Sequence, residues 1–410
     1  MQTSLAEFIK DTPEGREADA ILRKCVHCGF CTATCPTYRL LGDENDSPRG
    51  RIYLVKQLLE GAAVSAKTRL HLDRCLTCRA CETTCPSGVR YGRLADIGRK
   101  LVEDRVARPA WERIKRRALA EILPRRALFT PLLKLGQLAR PFLPEALARK
   151  VPPSPARAGA WPAPRHARRM LVLAGCVQPA LAPDTNAAAA RVLDRIGISL
   201  IEAKGAGCCG ALRYHLNYQD AGLADMRALI DAWWPQVEAG SVEAIVMTAS
   251  GCGVTVKEYA HLFGSEPAYA AKAAKISAMT RDLCEVLDAE FDRLEPLLQK
   301  KGARVAFHPP CSLQHGQQIK GVIERLMLRA GFELAPVPDA HLCCGSAGTY
   351  SILQPELSEQ LQQNKLSALA SGGPELIVTA NIGCQTHLAG GTALPVKHWI
   401  VALEERIAPE

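Results

Sequence analysis

Two stretches of this chain share one cysteine rhythm: Cys25-Val-His-Cys28-Gly-Phe-Cys31-Thr-Ala-Thr-Cys35-Pro36 and Cys75-Leu-Thr-Cys78-Arg-Ala-Cys81-Glu-Thr-Thr-Cys85-Pro86. Each reads C-x2-C-x2-C-x3-C-P, the ligand spacing of bacterial-type proteins that hold two [4Fe–4S] clusters. Three close cysteines grip one face of a cubane. The fourth lies past a short turn and reaches the other cluster, and the proline after it, with no N–H to satisfy, leads the chain away. The spacing therefore predicts Cys25, Cys28, Cys31 and Cys85 on one cluster, and Cys35, Cys75, Cys78 and Cys81 on the other. Paired C-x2-C units also hold zinc, but eight cysteines in a duplicated rhythm, each run closed by proline, favour clusters. The chemistry to expect is one-electron transfer.

A chain of 410 residues exceeds what one core usually serves, so two to four domains are expected. The first ten residues lack the basic start and apolar stretch of a secretory signal. Seventeen cysteines, mostly in ligand-spaced groups, then point to a reducing cytoplasm and to metal rather than disulfides. No apolar run approaches the ~20 residues that span a bilayer, so any membrane attachment is expected to be peripheral.

The net charge of +9 is concentrated. Residues 101–170 hold 16 Lys or Arg and 5 Asp or Glu, and 16 − 5 = +11, so the rest of the chain is nearly balanced. The same segment carries Leu128, Phe129, Leu132, Leu133, Leu135 and Leu138 at helical spacing, and prolines from Pro109 to Pro164 are expected to break it into short pieces. Three readings compete: a solvated linker lying across other domains, a dock for a partner subunit, and a contact for an anionic membrane surface. No DNA- or RNA-binding motif accompanies the charge, so no nucleic-acid partner is expected.

The expected class is α+β multidomain, with a helical two-cluster domain followed by two α/β repeats. Residues 1–100 form the cluster domain. Helical patterns at Arg51–Glu60 and Lys67–Leu72 fill the gap between the cysteine runs, where a compact β-type ferredoxin would leave less. Arg49 and Arg51, at the turn entering the first of these helices, are read either as neighbours of the clusters that tune potential or meet a partner, or as a simple turn and helix start. Residues 101–168 are the basic linker. Residues 169–298 and 299–410 repeat each other: Cys176 and Cys311 differ by 135, Cys208-Cys209-Gly210 and Cys343-Cys344-Gly345 by 135, and Cys252 and Cys384 by 132. Strand-like runs alternate with helical patterns in each, which predicts a parallel sheet flanked by helices. The cysteines fall in loops after strands, where such folds place their sites.

Each repeat thus offers four candidate metal ligands, Cys176, Cys208, Cys209 and Cys252, then Cys311, Cys343, Cys344 and Cys384. Four thiolates suit a cubane or tetrahedral zinc, and free cysteine is also a small buried hydrophobe. The glycine after each Cys-Cys allows the tight backbone that aims adjacent thiols at one place. Gly205-Ala-Gly-Cys-Cys-Gly210 matches a dinucleotide fingerprint only literally, since it lies deep in the repeat rather than in its first βαβ turn. No flavin-binding pattern stands out. His308 and His315, near Cys311, are read as metal ligands, as proton donors to a quinone, or as hydrogen-bonded core residues. His27 is expected beside the first cluster, and Cys284, with no counterpart in the other repeat, is structural.

With these residues assembled, the chain resembles the iron–sulfur subunits of bacterial glycolate oxidases, closely so at Cys25–Tyr38 and at Leu41-Gly-Asp-Glu-Asn-Asp-Ser-Pro-Arg-Gly-Arg-Ile-Tyr53. Its repeats resemble the CCG cysteine-rich domains of heterodisulfide reductase, anaerobic glycerol-3-phosphate dehydrogenase and lactate-utilisation proteins. The resemblance implies a complex at the cytoplasmic face of the inner membrane. Flavoprotein (FAD-binding) subunits there would oxidise glycolate to glyoxylate, and this subunit would pass electrons toward the membrane quinone pool. Its alternatives are the equivalent subunit for glycerol-3-phosphate or lactate, or a heterodisulfide-reductase-like enzyme. The fuller CCG pattern ends in C-x2-C, and here Ala249 and Asn381 replace the first cysteine of that pair. A five-cysteine cluster is therefore in doubt, leaving an ordinary cubane, zinc or an empty site for each repeat.

Overall fold

The computed structural model describes residues 1–144, 148 and 151–408. The undescribed residues fall in the basic segment and at the last two positions of the chain. The N-terminal part is helical, with α1 (Pro13–Lys24), α2 (Phe30–Ala33), α3 (Pro36–Leu41), α4 (Pro48–Leu59), α5 (Ala66–Asp73), α6 (Ala80–Thr84) and α7 (Tyr91–Arg105). The two helical patterns between the cysteine runs are α4 and α5. Ser47 caps α4 by accepting the Gly50 N–H at 2.9 Å, and Pro48 occupies its first position. Gly50 is needed there, because a Cβ would sit 2.0 Å from the Glu44 carbonyl oxygen. Leu22, Val55, Leu58, Leu59 and Leu94 fill the core between α1, α4 and α7.

The basic segment forms two helices, α8 (Ala110–Ile122) and α9 (Arg126–Ala139). Pro109 and Pro124 bracket α8, but Pro131 lies inside α9 rather than ending it. The expectation of short broken pieces is corrected to this extent: a surface helix survives the loss of the one hydrogen bond Pro131 cannot make. α8 is docked, not free. Arg108 is buried between Asp73 (2.6 Å), Glu103 and Glu112, and Arg116 pairs with Asp73 at 3.3 Å. α9 leaves its apolar row, Leu128, Leu132, Leu135 and Leu138, exposed.

Each repeat builds a four-stranded, all-parallel sheet. The first runs β2-β1-β3-β4, from β1 (Arg168–Val172), β2 (Ile198–Glu202), β3 (Ile245–Met247) and β4 (Thr280–Asp282). The second runs β6-β5-β7-β8, from β5 (Arg304–His308), β6 (Glu333–Leu334), β7 (Leu376–Thr379) and β8 (Val396–His398). The short edge strands β4 and β8 carry no period that a sequence reading detects. Their register against β3 and β7 makes them strands.

The repeats share one core. Helix Asp184–Arg195 of the first packs on Trp399–Glu404 of the second, and Leu283–Leu294 on Val322–Arg329, so Val172, Phe291, Met327 and Trp399 belong to a single apolar cluster. Cys284 is fully buried in it.

Candidate metal centres

The two N-terminal cysteine runs fold alike. Residues three and five of each run, His27 and Gly29, then Thr77 and Arg79, have left-handed backbones, with φ of 58°, 87°, 53° and 60°. Such alternation turns successive N–H groups toward one concavity, the kind of backbone nest that holds an anionic group. The Thr77 N–H accordingly points at Cys75 Sγ, 3.4 Å away. Arg79 is held in its uncommon conformation by a two-pronged ion pair with Glu258 of the first repeat.

Cys25, Cys28, Cys31 and Cys85 line one cavity near the surface, with His27, Phe30 and Arg49 on its wall, and Cys81 reaches it as well. Cys28 is exposed, and so are Val26 (68%) and Phe30 (60%) beside it. Burial, with Cys25, Cys28 and Cys35 nearby, pushes the Cys31 thiol up to about 11. Thiols this crowded ionise together only around a cation, which a bound metal cluster would supply.

Cys35, Cys75, Cys78 and Cys81 form the inner set. Burial first, then Cys311 and the neighbouring thiols, holds Cys78 well above the ordinary range. Burial first, then Cys78 and Cys75, does the same for Cys81. Cys75 goes the other way: burial raises it, but the guanidiniums of Arg51 and Arg99 outweigh that and bring it below the ordinary thiol value. Arg51 is fully buried, with Nη1 4.0 Å from Cys35 Sγ and 3.1 Å from Thr37 Oγ1, and Nη2 3.2 Å from Asp46 Oδ1. Arg49 instead pairs with Glu44 at 2.7 Å beside the outer cavity. Arg99 donates to Thr77 Oγ1 at 2.8 Å and to the Leu72 carbonyl at 2.9 Å. Nothing in the sequence singled out Arg99, because it meets the cysteines only when α7 folds against Leu72 and Cys75.

In each repeat the four cysteines converge at the carboxyl ends of β1, β2 and β3, or of β5, β6 and β7. These are the crevices where strand order reverses. Both CCG glycines are left-handed, with φ of +80° at Gly210 and +90° at Gly345. A Cβ would lie 2.5 Å from the Gly222 carbonyl oxygen in the first case and 2.6 Å from that of Ser358 in the second. In the first repeat Cys176, Cys208, Cys209 and Cys252 stand in series, each thiol within hydrogen-bonding reach of the next. Cys208, receiving from both Cys176 and Cys209, is held well below the ordinary thiol range. In the second, Cys311 and Cys343 Sγ are 3.9 Å apart, and Cys344 links Cys343 to Cys384.

The second repeat's thiols lie against the inner set. Cys343, Cys311 and Cys78 belong to one apolar cluster with Leu76 and Tyr350. The Tyr350 hydroxyl donates to the Arg74 carbonyl at 3.1 Å. His315 Nδ1 lies 3.0 Å from Thr83 Oγ1, and its Nε2 lies 2.9 Å from the His341 carbonyl. Both its ring nitrogens are thus engaged, which makes His315 a strut between domains. His308 is different: it is fully buried, and neither ring nitrogen has a hydrogen-bond partner among the described residues. His308 forms a group with Cys344 and Cys384 whose donor atoms all lie within 4.8 Å of one another.

This architecture defines an iron–sulfur protein, a helical dicluster domain joined to paired cysteine-rich domains. The family model for a 4Fe-4S dicluster domain matches residues 21–89 and implies two clusters, and the model for the CCG cysteine-rich domain matches residues 170–257 and 305–389. The chain is 57% identical over the full length of both proteins to the glycolate oxidase iron-sulfur subunit of Escherichia coli (strain K12). It is 31% identical to the probable glycolate oxidase iron-sulfur subunit of Bacillus subtilis (strain 168), over 92% of this chain and 89% of that one. Lactate utilization protein A of Bacillus licheniformis is 28% identical over 52% of this chain and 88% of its own length. The chain belongs to the family of glycolate oxidase iron–sulfur subunits.

Proposed function

We propose that this subunit is the electron relay of a complex in which flavoprotein (FAD-binding) partners oxidise glycolate to glyoxylate, releasing two electrons and two protons. When bound, [4Fe–4S] clusters supply one-electron carriers. Cys25, Cys28, Cys31 and Cys85 are the residues to hold the outer cluster. Their exposed rim of Val26, Cys28 and Phe30 gives a donor protein its nearest approach. Cys35, Cys75, Cys78 and Cys81 hold the inner one, where Arg51 and Arg99 favour added negative charge. The observation that carries this reading is the contact of the inner set with Cys311 and Cys343, which supports a relay ordered as outer set, inner set, second repeat.

The expected acceptor is the membrane quinone pool, reached from the cytoplasmic face of the inner membrane. No helix among the described residues is long and apolar enough to cross a membrane. Support for surface attachment comes from α9, whose exposed row from Leu128 to Leu138 is flanked by Arg125, Arg126, Lys134 and Arg140. A cavity of about 320 Å³ in the second repeat, lined by Phe307, Leu313, Ile319, Lys320, Glu324 and His341, has room for a small acceptor. The experiment is co-purification with the flavoprotein partners, followed by substrate addition under anaerobic conditions. Glycolate should reduce the clusters of the complex. Reduction by glycerol-3-phosphate or lactate but not by glycolate overturns the reading.

A further inference from the structure

The two repeats have diverged where their thiols are lined. We propose that His308 is a metal ligand, so that the second repeat holds a thiophilic metal through sulfur and imidazole while the first uses sulfur alone. This rests on the reading that the second repeat's thiols bind metal.

His308 ends β5 and is fully buried, yet both ring nitrogens lack a partner among the described residues. Leaving one buried polar group unpaired costs ~1–3 kcal/mol, and a native fold rarely leaves two in one ring without a use for them. The ring faces Cys344 and Cys384, with all three donor atoms inside 4.8 Å. Donors at ~2.0–2.3 Å from one tetrahedral ion lie roughly 3.5–3.8 Å apart, so a small contraction seats a metal among them. Among the described residues no carboxylate reaches either ring nitrogen, so a lone pair of the neutral ring is free to ligate.

The first repeat supplies the control. At the offset of 135 that relates the Cys-Cys-Gly motifs, His308 corresponds to Leu173 and Lys365 to Ile230. At the offset of 132 that relates Cys252 to Cys384, Asn381 corresponds to Ala249. Leu173, Ile230 and Ala249 are buried and apolar, so the first site has hydrocarbon at these three positions. In the second, the Asn381 side-chain amide donates to Cys384 Sγ at 3.6 Å, and Lys365 donates to the Asp339 carbonyl at 2.9 Å. Sharing a strand end, four thiols and a glycine, the two copies differ in the one residue placed to give nitrogen.

The test uses the full-length protein isolated anaerobically, with iron, acid-labile sulfide and zinc counted per chain. If the metal beyond the eight N-terminal irons is iron, pulsed EPR on protein labelled with 15N-histidine reads the ligand; if it is zinc, X-ray absorption at the zinc edge does. Coupling to an imidazole nitrogen, or a nitrogen scatterer on zinc, is the expected result. His308→Leu, which copies the first repeat, should remove that signal and lower the metal count by one site while eight irons remain. His308→Cys should keep the count with a sulfur-only shell. A loaded wild-type second repeat without nitrogen coupling overturns the role of His308. A second repeat that takes up neither iron nor zinc overturns the reading beneath it. The wild-type spectra stand even where a variant fails to fold.

Discussion

Arg51, paired with Asp46, and Arg99 place two buried guanidiniums against the inner cysteine set, and among the described residues the cavity of the outer set is lined by one, the half-exposed Arg49 paired with Glu44. Added negative charge on a reduced cluster is therefore better stabilised inside. One full charge at ~6–8 Å and an effective dielectric of ~20 is worth ~2–3 kcal/mol, on the order of 100 mV for one electron. Arg99→Leu should lower the midpoint potential of a single cluster by about that amount, with Arg99→Lys recovering part, as read by potentiometric EPR. An unmoved potential would sink this account. Crossed ligation makes a second prediction: Cys25→Ser and Cys85→Ser should perturb the same EPR signal, although 60 residues separate them (85 − 25). At this scale the cysteines were legible because their spacing is local. Arg99 was not, because an arginine on an amphipathic helix looks like any other until α7 folds onto Leu72 and Cys75.

The short loops that carry thiols depend on backbone rather than on side chains. Ala at position 210 or 345 would meet both a left-handed φ and a carbonyl oxygen at 2.5 or 2.6 Å. Gly210→Ala and Gly345→Ala should each destabilise the protein by at least ~2 kcal/mol and disorder the adjacent thiols, which thermal melts and thiol-reactivity rates will read. Helices α4 and α5 and the six other strands were legible, because apolar runs and caps are written within each segment. Strands β4 and β8 were not, since Thr280-Arg-Asp282 and Val396-Lys-His398 carry no apolar run and are defined by the neighbours they pair with. The basic segment was half legible. Its helical spacing was plain, but the docking of α8 through Arg108 and Asp73 pairs residues 35 positions apart (108 − 73). Neutralising Arg113, Arg117, Arg125 and Arg126 should weaken pelleting with anionic vesicles while leaving iron content unchanged. Equal pelleting would discard membrane contact by this element.

At the scale of the molecule, the fused core and its polar ties make the two repeats one body. His398 of the second repeat is fully buried, with Nε2 donating to the Thr248 carbonyl of the first at 2.8 Å and Nδ1 accepting from Ile400. Burial outweighs that hydrogen bond and lowers its pKa to about 4. Between that value and the ordinary ~6.5, the unfolded chain binds the proton and the folded one does not. Stability is therefore complete above pH ~6.5 and falls as the solution is acidified toward pH ~4, by on the order of 3 kcal/mol from this group. His398→Asn should flatten the slope of melting temperature against pH in that window, and an unchanged slope would assign the acid sensitivity elsewhere. The sequence showed duplication but not fusion, because the shared core is made of residues that would serve equally well in two separate cores.

The unequal exposure of the two thiol sets bears on how the protein meets air. Dioxygen and peroxide reach the outer set through the open rim at Cys28, whereas the inner set is covered by α4, α7 and the second repeat. Oxidative damage would then begin at the outer set, the end proposed to face the electron donor. A bleached molecule would keep its inner cluster and its fold while being cut off from its supply.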